Sequence, residues 1–358
     1  MKNRSVLGLI IIALSSLVPI QLIAQYDFVD IKTIDHTGIK SQDITGTCWS
    51  FSTSSFIESE LMRLGKGEYD VSEMFIVRKI YQDKANNYIL RQGSAAFSQG
   101  ALAHDLIRTM GEEGILLDSD YPGLIGEDSL HDHSEMEAAL KGYLDGVLSQ
   151  KHPSQKWKVG FSGILDAYLG ELPQKDPKQL YAQLGLKASD YISFTSFSHH
   201  PYNKEFILEI PDNYSNGSYH NLKLDDMMLL INHALDNGFT ICWDGDVSEK
   251  SFKAKQGLAI LPTDIKRDSV FQIPGEEIEV DQAMRQEAFE SLNTTDDHLM
   301  HLIGWAKDKN GTDYYIIKNS WGEIGDCKGL IYMSEAYVRM KTVGILVHQE
   351  GVPKKIKR

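Results

Sequence analysis

Three side chains in this sequence are of types that together could break an acyl bond: a cysteine opening a helix, a histidine opening a strand, and an asparagine closing the next strand. Cys48 follows a polar, glycine-containing turn, Gln42-Asp43-Ile44-Thr45-Gly46-Thr47, and precedes Trp49-Ser50-Phe51. Beyond it, Trp49, Phe56, Ile57, Leu61 and Leu64 recur at near-helical spacing until Gly65, where a helix would stop. Cys48 is therefore expected at a helix N-terminus, where unpaired N–H groups favour negative charge and hence the nucleophilic thiolate. A small buried thiol that merely opens a helix would look the same locally. The rest of the chain must distinguish the two.

A thiolate nucleophile needs a base, and the base needs an orienting partner. Toward the other end run Asp296-Asp297-His298-Leu299-Met300-His301-Leu302-Ile303-Gly304-Trp305 and Tyr314-Tyr315-Ile316-Ile317-Lys318-Asn319-Ser320-Trp321-Gly322. Both contain apolar strand-like runs, and Asn310-Gly311 between them is a strong hairpin signal. His298 lies 12 residues before Asn310 and Asn319 lies 8 after Gly311, so the hairpin brings both toward its open end. His301 competes for the role of base. Three apart on a strand, the two histidines face opposite sides, and only one can meet Cys48.

These segments resemble the papain superfamily of cysteine peptidases, and within it the bleomycin hydrolase and aminopeptidase C branch. The resemblance rests on Gln42 six residues before the cysteine, Gly46 two before it, Trp49 after it, His298 opening an apolar strand, and Lys318-Asn319-Ser320-Trp321-Gly322. Weaker agreement at Gly114-Ile115, at Tyr121-Pro122 and from Ile231 to Gly257 extends it over most of the chain, leaving a gap between about Leu130 and Leu222. It implies an α+β, two-lobe fold, with the cysteine on a helical lobe and His and Asn on an antiparallel, barrel-like β lobe. It also implies Cys48 as nucleophile, His298 as base and later acid, and Asn319 as the group holding the imidazole. Trp321 would shield that bond, and Gln42 would donate to the oxyanion together with the Cys48 N–H. Counting back from Gly304-Trp305, the family pattern selects His298 over His301.

The sequence also departs from the pattern. Thr45 stands where secreted relatives carry a disulfide cysteine, which favours the bleomycin hydrolase branch. The paired glycines that in the family lend backbone hydrogen bonds to the substrate are replaced by Ala95-Ala96, counting back from Gly100-Ala101-Leu102, which would narrow the near subsite. Cys242 and Cys327 match no disulfide of the family and are read as a buried strand thiol and a loop thiol.

The elements that must position these residues are bounded by composition. With 358 residues, 42% of them apolar, the chain is of globular type and long enough for two lobes and a cleft. Its net charge of -14 argues against a polyanionic partner such as nucleic acid. Residues 1–24 read as an export signal: Lys2 and Arg4, an apolar stretch from Val6 to Ile20, and Ala24 before the cut. The mature chain would begin at Gln25, outside the cytoplasm and without stable membrane insertion. The peptidase domain is expected over 25–358, with a mostly helical lobe at 25–130, an insertion at 131–222 and a mostly β lobe at 223–358. The insertion shows helical patterns at Met136–Leu148, Phe161–Leu169 and Pro177–Leu184, and is expected to decorate the cleft rim.

His131-Asp132-His133 and His199-His200 lack a second cluster at metal-ligand spacing, so neither a metal nor a cofactor is expected. Two functions remain. One is a secreted or periplasmic cysteine peptidase acting on peptides, with removal of N-terminal residues as the branch's mode. The other is a catalytically idle homologue that binds peptides or a protein. The presence of Cys, His, Asn and Gln together favours catalysis. The sequence leaves homo-oligomerisation open.

Overall fold

The computed structural model describes residues 26–356, so the expected export signal lies outside the described residues. Helix α1 runs Cys48–Arg63, and Gly65 just beyond it takes a φ of +69°, a conformation that would strain a residue with a Cβ. Every residue of α1 from Cys48 to Leu61 is buried. A helix with Ser or Thr at 50, 52, 53, 54, 55 and 59 can be enclosed on all sides because those side chains are small and several hydroxyls find local acceptors. Thr53 Oγ1 donates to the Trp49 carbonyl at 2.7 Å, and Ser50 Oγ donates to that of Glu73 at 3.0 Å.

Helices α2 (Glu73–Leu90) and α3 (Ala103–Glu113) pack on one flank of α1. Next come α4 (Ser134–Leu148), α5 (Trp157–Leu169) and α6 (Pro177–Leu184), close to the three expected helical patterns. Helices α4 and α5 enlarge the core, while the insertion reaches the cleft through Asp212. Met136, Leu140 and Leu144 of α4, with Phe161 and Leu165 of α5, are fully buried in the same core cluster as α1 and α2. An amphipathic helix with that many large apolar residues is stabilised by enlarging the core, not by standing on the surface.

The strands, in chain order, are β1 (Phe28–Thr33), β2 (Tyr191–Thr195), β3 (Glu205–Ile207), β4 (Ser218–Asn221), β5 (Ile241–Gly245), β6 (Phe252–Lys253), β7 (Leu258–Ala259), β8 (His298–Asp308), β9 (Asp313–Lys318), β10 (Leu330–Ser334) and β11 (Thr342–His348). They join one sheet in the order β3-β4-β2-β11-β5-β8-β9-β10-β7-β6, with β1 antiparallel to β8. Helices α7 (Leu224–Asp236), α8 (Gln282–Glu290) and α9 (Glu335–Lys341) accompany the β lobe.

Strand β8 is the seam between the lobes. Leu299 belongs to the helical core and His301 meets α1, whereas Met300 and Leu302 belong to the second core with α7. This period-2 alternation places one face of β8 against α1 and the other inside the β lobe. The arrangement is α+β, with a helical layer carrying Cys48 and a largely antiparallel sheet carrying His298, as expected.

Candidate active site

The β8–β9 hairpin forms as the Asn310-Gly311 signal predicts: the strands are antiparallel and Gly311 has a φ of +86°. Asp308 holds the turn by accepting from the backbone N–H groups of Asn310 and Thr312 at 2.8 and 2.9 Å. At the open end, His298 Nε2 meets Asn319 Oδ1 at 2.8 Å. The same Oδ1 accepts from the Ser320 N–H at 2.8 Å, which fixes the amide with its oxygen toward the ring. The proton therefore sits on Nε2, and Nδ1 keeps a free lone pair. Trp321 lies over this pair, with its ring centroid 4.8 Å from that of His298.

Cys48 is the first residue of α1 and is buried; its N–H, at that position, has no intrahelical acceptor. It shares one cavity with Gln42, Gly46, Ser98, Gly100, Ala101, Asp212, Val247, Asp296, Asp297, His298, Leu299 and Trp321. Gln42 Nε2 donates one N–H to the Thr45 carbonyl at 2.7 Å, and its Oε1 accepts from Ser320 Oγ at 2.6 Å. One N–H of the amide is thus left beyond the bond that orients it.

The electrostatics differ from the expectation of a thiol activated by the helix terminus alone. Burial pushes the Cys48 thiol up to about 12, against the lowering effect of the Leu299 N–H, and Asp296, Asp244 and Asp212 add to the rise. Burial also pushes His298 down to about 4, opposed by its bond to Asn319. Burial disfavours a charge on either group alone. A proton passed from Cys48 to His298 creates both charges together, each offsetting the other's cost.

Trp49 and Gly46 act on the cavity wall. Trp49 Nε1 donates to the Gln99 carbonyl at 2.9 Å, and the Gly46 N–H donates to Gln99 Oε1 at 2.7 Å. A Cβ on Gly46 would come within 3.1 Å of the Gln99 Cβ, so the close approach favours glycine. Gln99 holds the loop whose neighbours Ser98 and Gly100 line the cavity. Ala95 and Ala96 do not line it: Ala95 packs on the helical core and Ala96 is exposed. The register counted back from Gly100 falls short because the chain reaches the cleft only at Ser98, after Phe97 has turned into the core. Sequence reasoning also missed Gln99 and Asp212, and quoted Asp296-Asp297 without a role.

His301 lies on the opposite face of β8 from Met300. Its Nδ1 meets Ser55 Oγ at 2.8 Å, and Ser55 accepts from Lys318 Nζ at 2.7 Å. Lys318 donates also to Thr37 Oγ1 at 3.0 Å, whose hydroxyl donates to Glu58. This buried chain ties β8 and β9 to α1. Replacing His301 by Ala is expected to cost about 1–3 kcal/mol of stability while leaving turnover within a few-fold, measurable as a shift of the urea midpoint beside initial rates.

Asp244 and Asp296 form a second buried feature. Burial and their mutual repulsion raise Asp244 well above the carboxylate range, and burial with the charge of Asp212 raises Asp296 to about 7. A raised carboxyl binds its proton more tightly in the folded state, so its stabilising contribution is full below the unfolded value near ~3.9 and is lost as pH rises toward 7. Asp296→Asn removes that loss. Its melting temperature relative to the wild type should rise between about pH 5 and about pH 8, and a constant difference would contradict this account.

His199 and His200 both meet the Glu209 carboxylate through Nε2, at 3.2 and 2.7 Å. Gln286 Nε2 donates to His199 Nδ1 at 3.0 Å while its Oε1 accepts from the Ser198 N–H. That bond places the His199 proton on Nε2, the atom a metal shared with His200 and Glu209 would need. Cys242 is buried against Thr53 Oγ1 at 3.4 Å, and Cys327 is a half-buried loop thiol; neither is in a disulfide. The last described residues do not enter the cavity: Val352 and Ile356 pack with the second core, and Lys355 pairs with Asp226 of α7 at 3.1 Å. Among the described residues no helix is long and apolar enough to cross a membrane.

Comparison with known proteins places these features. The model of the Peptidase C1-like family matches residues 149–358, a span that carries His298 and Asn319 while Cys48 precedes it. Aminopeptidase C of Lactobacillus helveticus is 27% identical over 189 residues, covering 51% of this chain and 40% of that protein. The chain thus matches less than half the length of that relative. The crystal structure of PepW from Lactobacillus rhamnosis superposes with a TM-score of 0.76 at 18% identity, covering 92% of this chain and 84% of that one, which establishes the shared fold.

Proposed function

Because the chain belongs to the Peptidase C1-like family, we propose that it is a cysteine peptidase that hydrolyses peptide bonds through Cys48, His298, Asn319 and Gln42, outside the cytoplasm. The observation that carries the reading is the single cavity shared by the thiol at the start of α1 and the imidazole held by Asn319. His298 Nδ1 takes the thiol proton as sulfur attacks the carbonyl carbon. The Cys48 N–H and the remaining Gln42 N–H face the oxygen on which charge develops. The imidazolium then returns its proton to the departing amine, and water, activated by the same nitrogen, releases the acyl group.

A buried thiol and imidazole in one cavity are also what an idle peptide-binding homologue would show. An epoxide or vinyl-sulfone thiol trap separates the two: the peptidase is labelled at Cys48 at neutral pH, and an idle homologue is not. Gln42→Ala is expected to lower kcat by about 10² or more, roughly 3 kcal/mol of transition-state stabilisation, and an unchanged rate would remove Gln42 from the oxyanion site. Export is supported by the pattern of residues 1–24. The protein recovered from the extracytoplasmic fraction should begin at Gln25, and a chain that retains Met1 in the cytoplasm would refute it.

A further inference from the structure

Between α2 and α3 the chain runs as irregular backbone, and Ser98, Gly100 and Ala101 of that stretch line the Cys48 cavity. Backbone outside a helix or a ladder must find partners for its polar groups elsewhere. Here each carbonyl of residues 98–100 has one. Trp49 Nε1 donates to the Gln99 carbonyl at 2.9 Å. The other two are held by a single group: Lys84 Nζ donates to the Ser98 carbonyl at 3.0 Å and also to that of Gly100. Neither Trp49 nor Lys84 lines the cavity, so these bonds are made from behind the stretch.

Lys84 lies in α2 and is 2% exposed, and the carboxylates that act on its charge, Asp212, Asp105 and Glu137, do so without a hydrogen bond to it. A buried ammonium is costly unless its three donors are used. Two reach the carbonyls, and the charge lies over the Tyr214 ring, 4.9 Å from its centroid. Tyr214 belongs to the insertion. Its hydroxyl donates to Asp83, next to Lys84 in α2, at 3.0 Å and accepts from Arg108 of α3 at 3.0 Å. Two residues before it, Asp212 lines the cavity and covers Gly100, where a Cβ would overlap the Asp212 carboxylate. One buried cation thus touches both the 98–100 stretch and the insertion loop that meets it.

We propose that Lys84 is a positioning residue for substrate: its ammonium sets the backbone of residues 98–100 as a wall of the Cys48 cavity and fastens the insertion loop bearing Asp212 and Tyr214 against that wall. The proposal deepens the peptidase reading and rests on it. Removing the ammonium leaves two carbonyls without their donor, and a stretch with no strand or helix of its own shifts to find others. A peptide in the cleft meets this wall, whereas the proton passing from Cys48 to His298 moves between the first residues of α1 and β8. Loss of the cation therefore weakens binding more than it slows the chemistry.

Binding is read first without hydrolysis, by calorimetric titration of Cys48→Ala protein with penta-alanine amide. Adding Lys84→Met should weaken binding by about tenfold or more, with the fold checked by circular dichroism. In the chain that keeps Cys48, Lys84→Met should raise KM by about tenfold or more, while kcat per site titrated by the thiol trap and the rate of alkylation by iodoacetamide stay within a few-fold. A purely structural lysine would lower the number of titratable sites and leave the KM of the remainder unchanged, which overturns the proposal, as does a loss confined to kcat. Should Lys84→Met fail to fold, Tyr214→Leu decides, because it removes the ring beneath the ammonium and leaves Lys84 in place. A KM about threefold higher or more at constant kcat supports the anchored wall, and an unchanged KM overturns it. Failure of the peptidase reading appears separately, as a wild-type Cys48 that no thiol trap labels while Lys84→Met still weakens peptide binding to Cys48→Ala protein.

Discussion

Cys48→Ala is expected to lower kcat for peptide hydrolysis by about 10⁴-fold or more while the protein stays folded. The loss is large because no other group can supply the electrons that the acyl carbon accepts. Donors at the oxyanion and the bound geometry alone leave only the residual rate seen when a nucleophile is removed. Folding should survive because the change removes a single sulfur that borders a cavity, so little packing is lost. The control is supplied by the molecule itself. Cys242 is buried in the strand β5 and Cys327 lies in a loop, both away from the cavity, so replacing either by Ala should leave turnover within a few-fold. Initial rates on a fluorogenic peptide, with circular dichroism for the fold, read both results. Activity that survives Cys48→Ala rejects the mechanism.

His298→Ala should be the second severe variant, with about 10³-fold or greater loss in kcat/KM. The thiol explains why. Burial and three nearby aspartates push Cys48 up to about 12, so without a base beside it the thiolate is scarcely populated at neutral pH. With His298 as the base, alkylation of the wild type by a neutral thiol reagent should proceed from near-neutral pH. In His298→Ala the alkylation rate should be small at neutral pH and climb only toward strongly alkaline pH. His301→Ala should keep the wild-type alkylation profile, because its ring is bonded to Ser55 within the lobe interface. An unchanged alkylation profile in His298→Ala would mean that another group takes the proton.

The chemistry-bearing segments were legible because their signals are local. The spacing of Trp49, Phe56, Ile57 and Leu61 announces α1 and puts Cys48 at its start. Asn310-Gly311 announces the hairpin that returns Asn319 to His298. The α+β fold and the family follow from those short stretches, and the match to the Peptidase C1-like family and the superposition on PepW agree with them. What was missed is non-local. The substrate wall was sought at Ala95-Ala96, but Gln99 is the residue tied back to Trp49 and Gly46, contacts across 50 and 53 positions. The helices of the insertion were recognised as helices, yet nothing in their period says which surface they cover.

The sequence alone determined the candidate reacting groups and the elements that carry them, because helix starts, strand alternation and tight turns are set by residues within a few positions of one another. Only the tertiary structure decided the environment of those groups. That a lone charge on Cys48 or on His298 is disfavoured depends on burial by both lobes, and no residue near either in the chain encodes it. That Asp244 rests against Asp296, with Asp212 near enough to act on both, depends on bringing a loop of the insertion, an inner strand and the approach to β8 together. Desolvation and charge–charge coupling act through space, and three aspartates scattered along 84 residues act on one another only when folding removes the water between them.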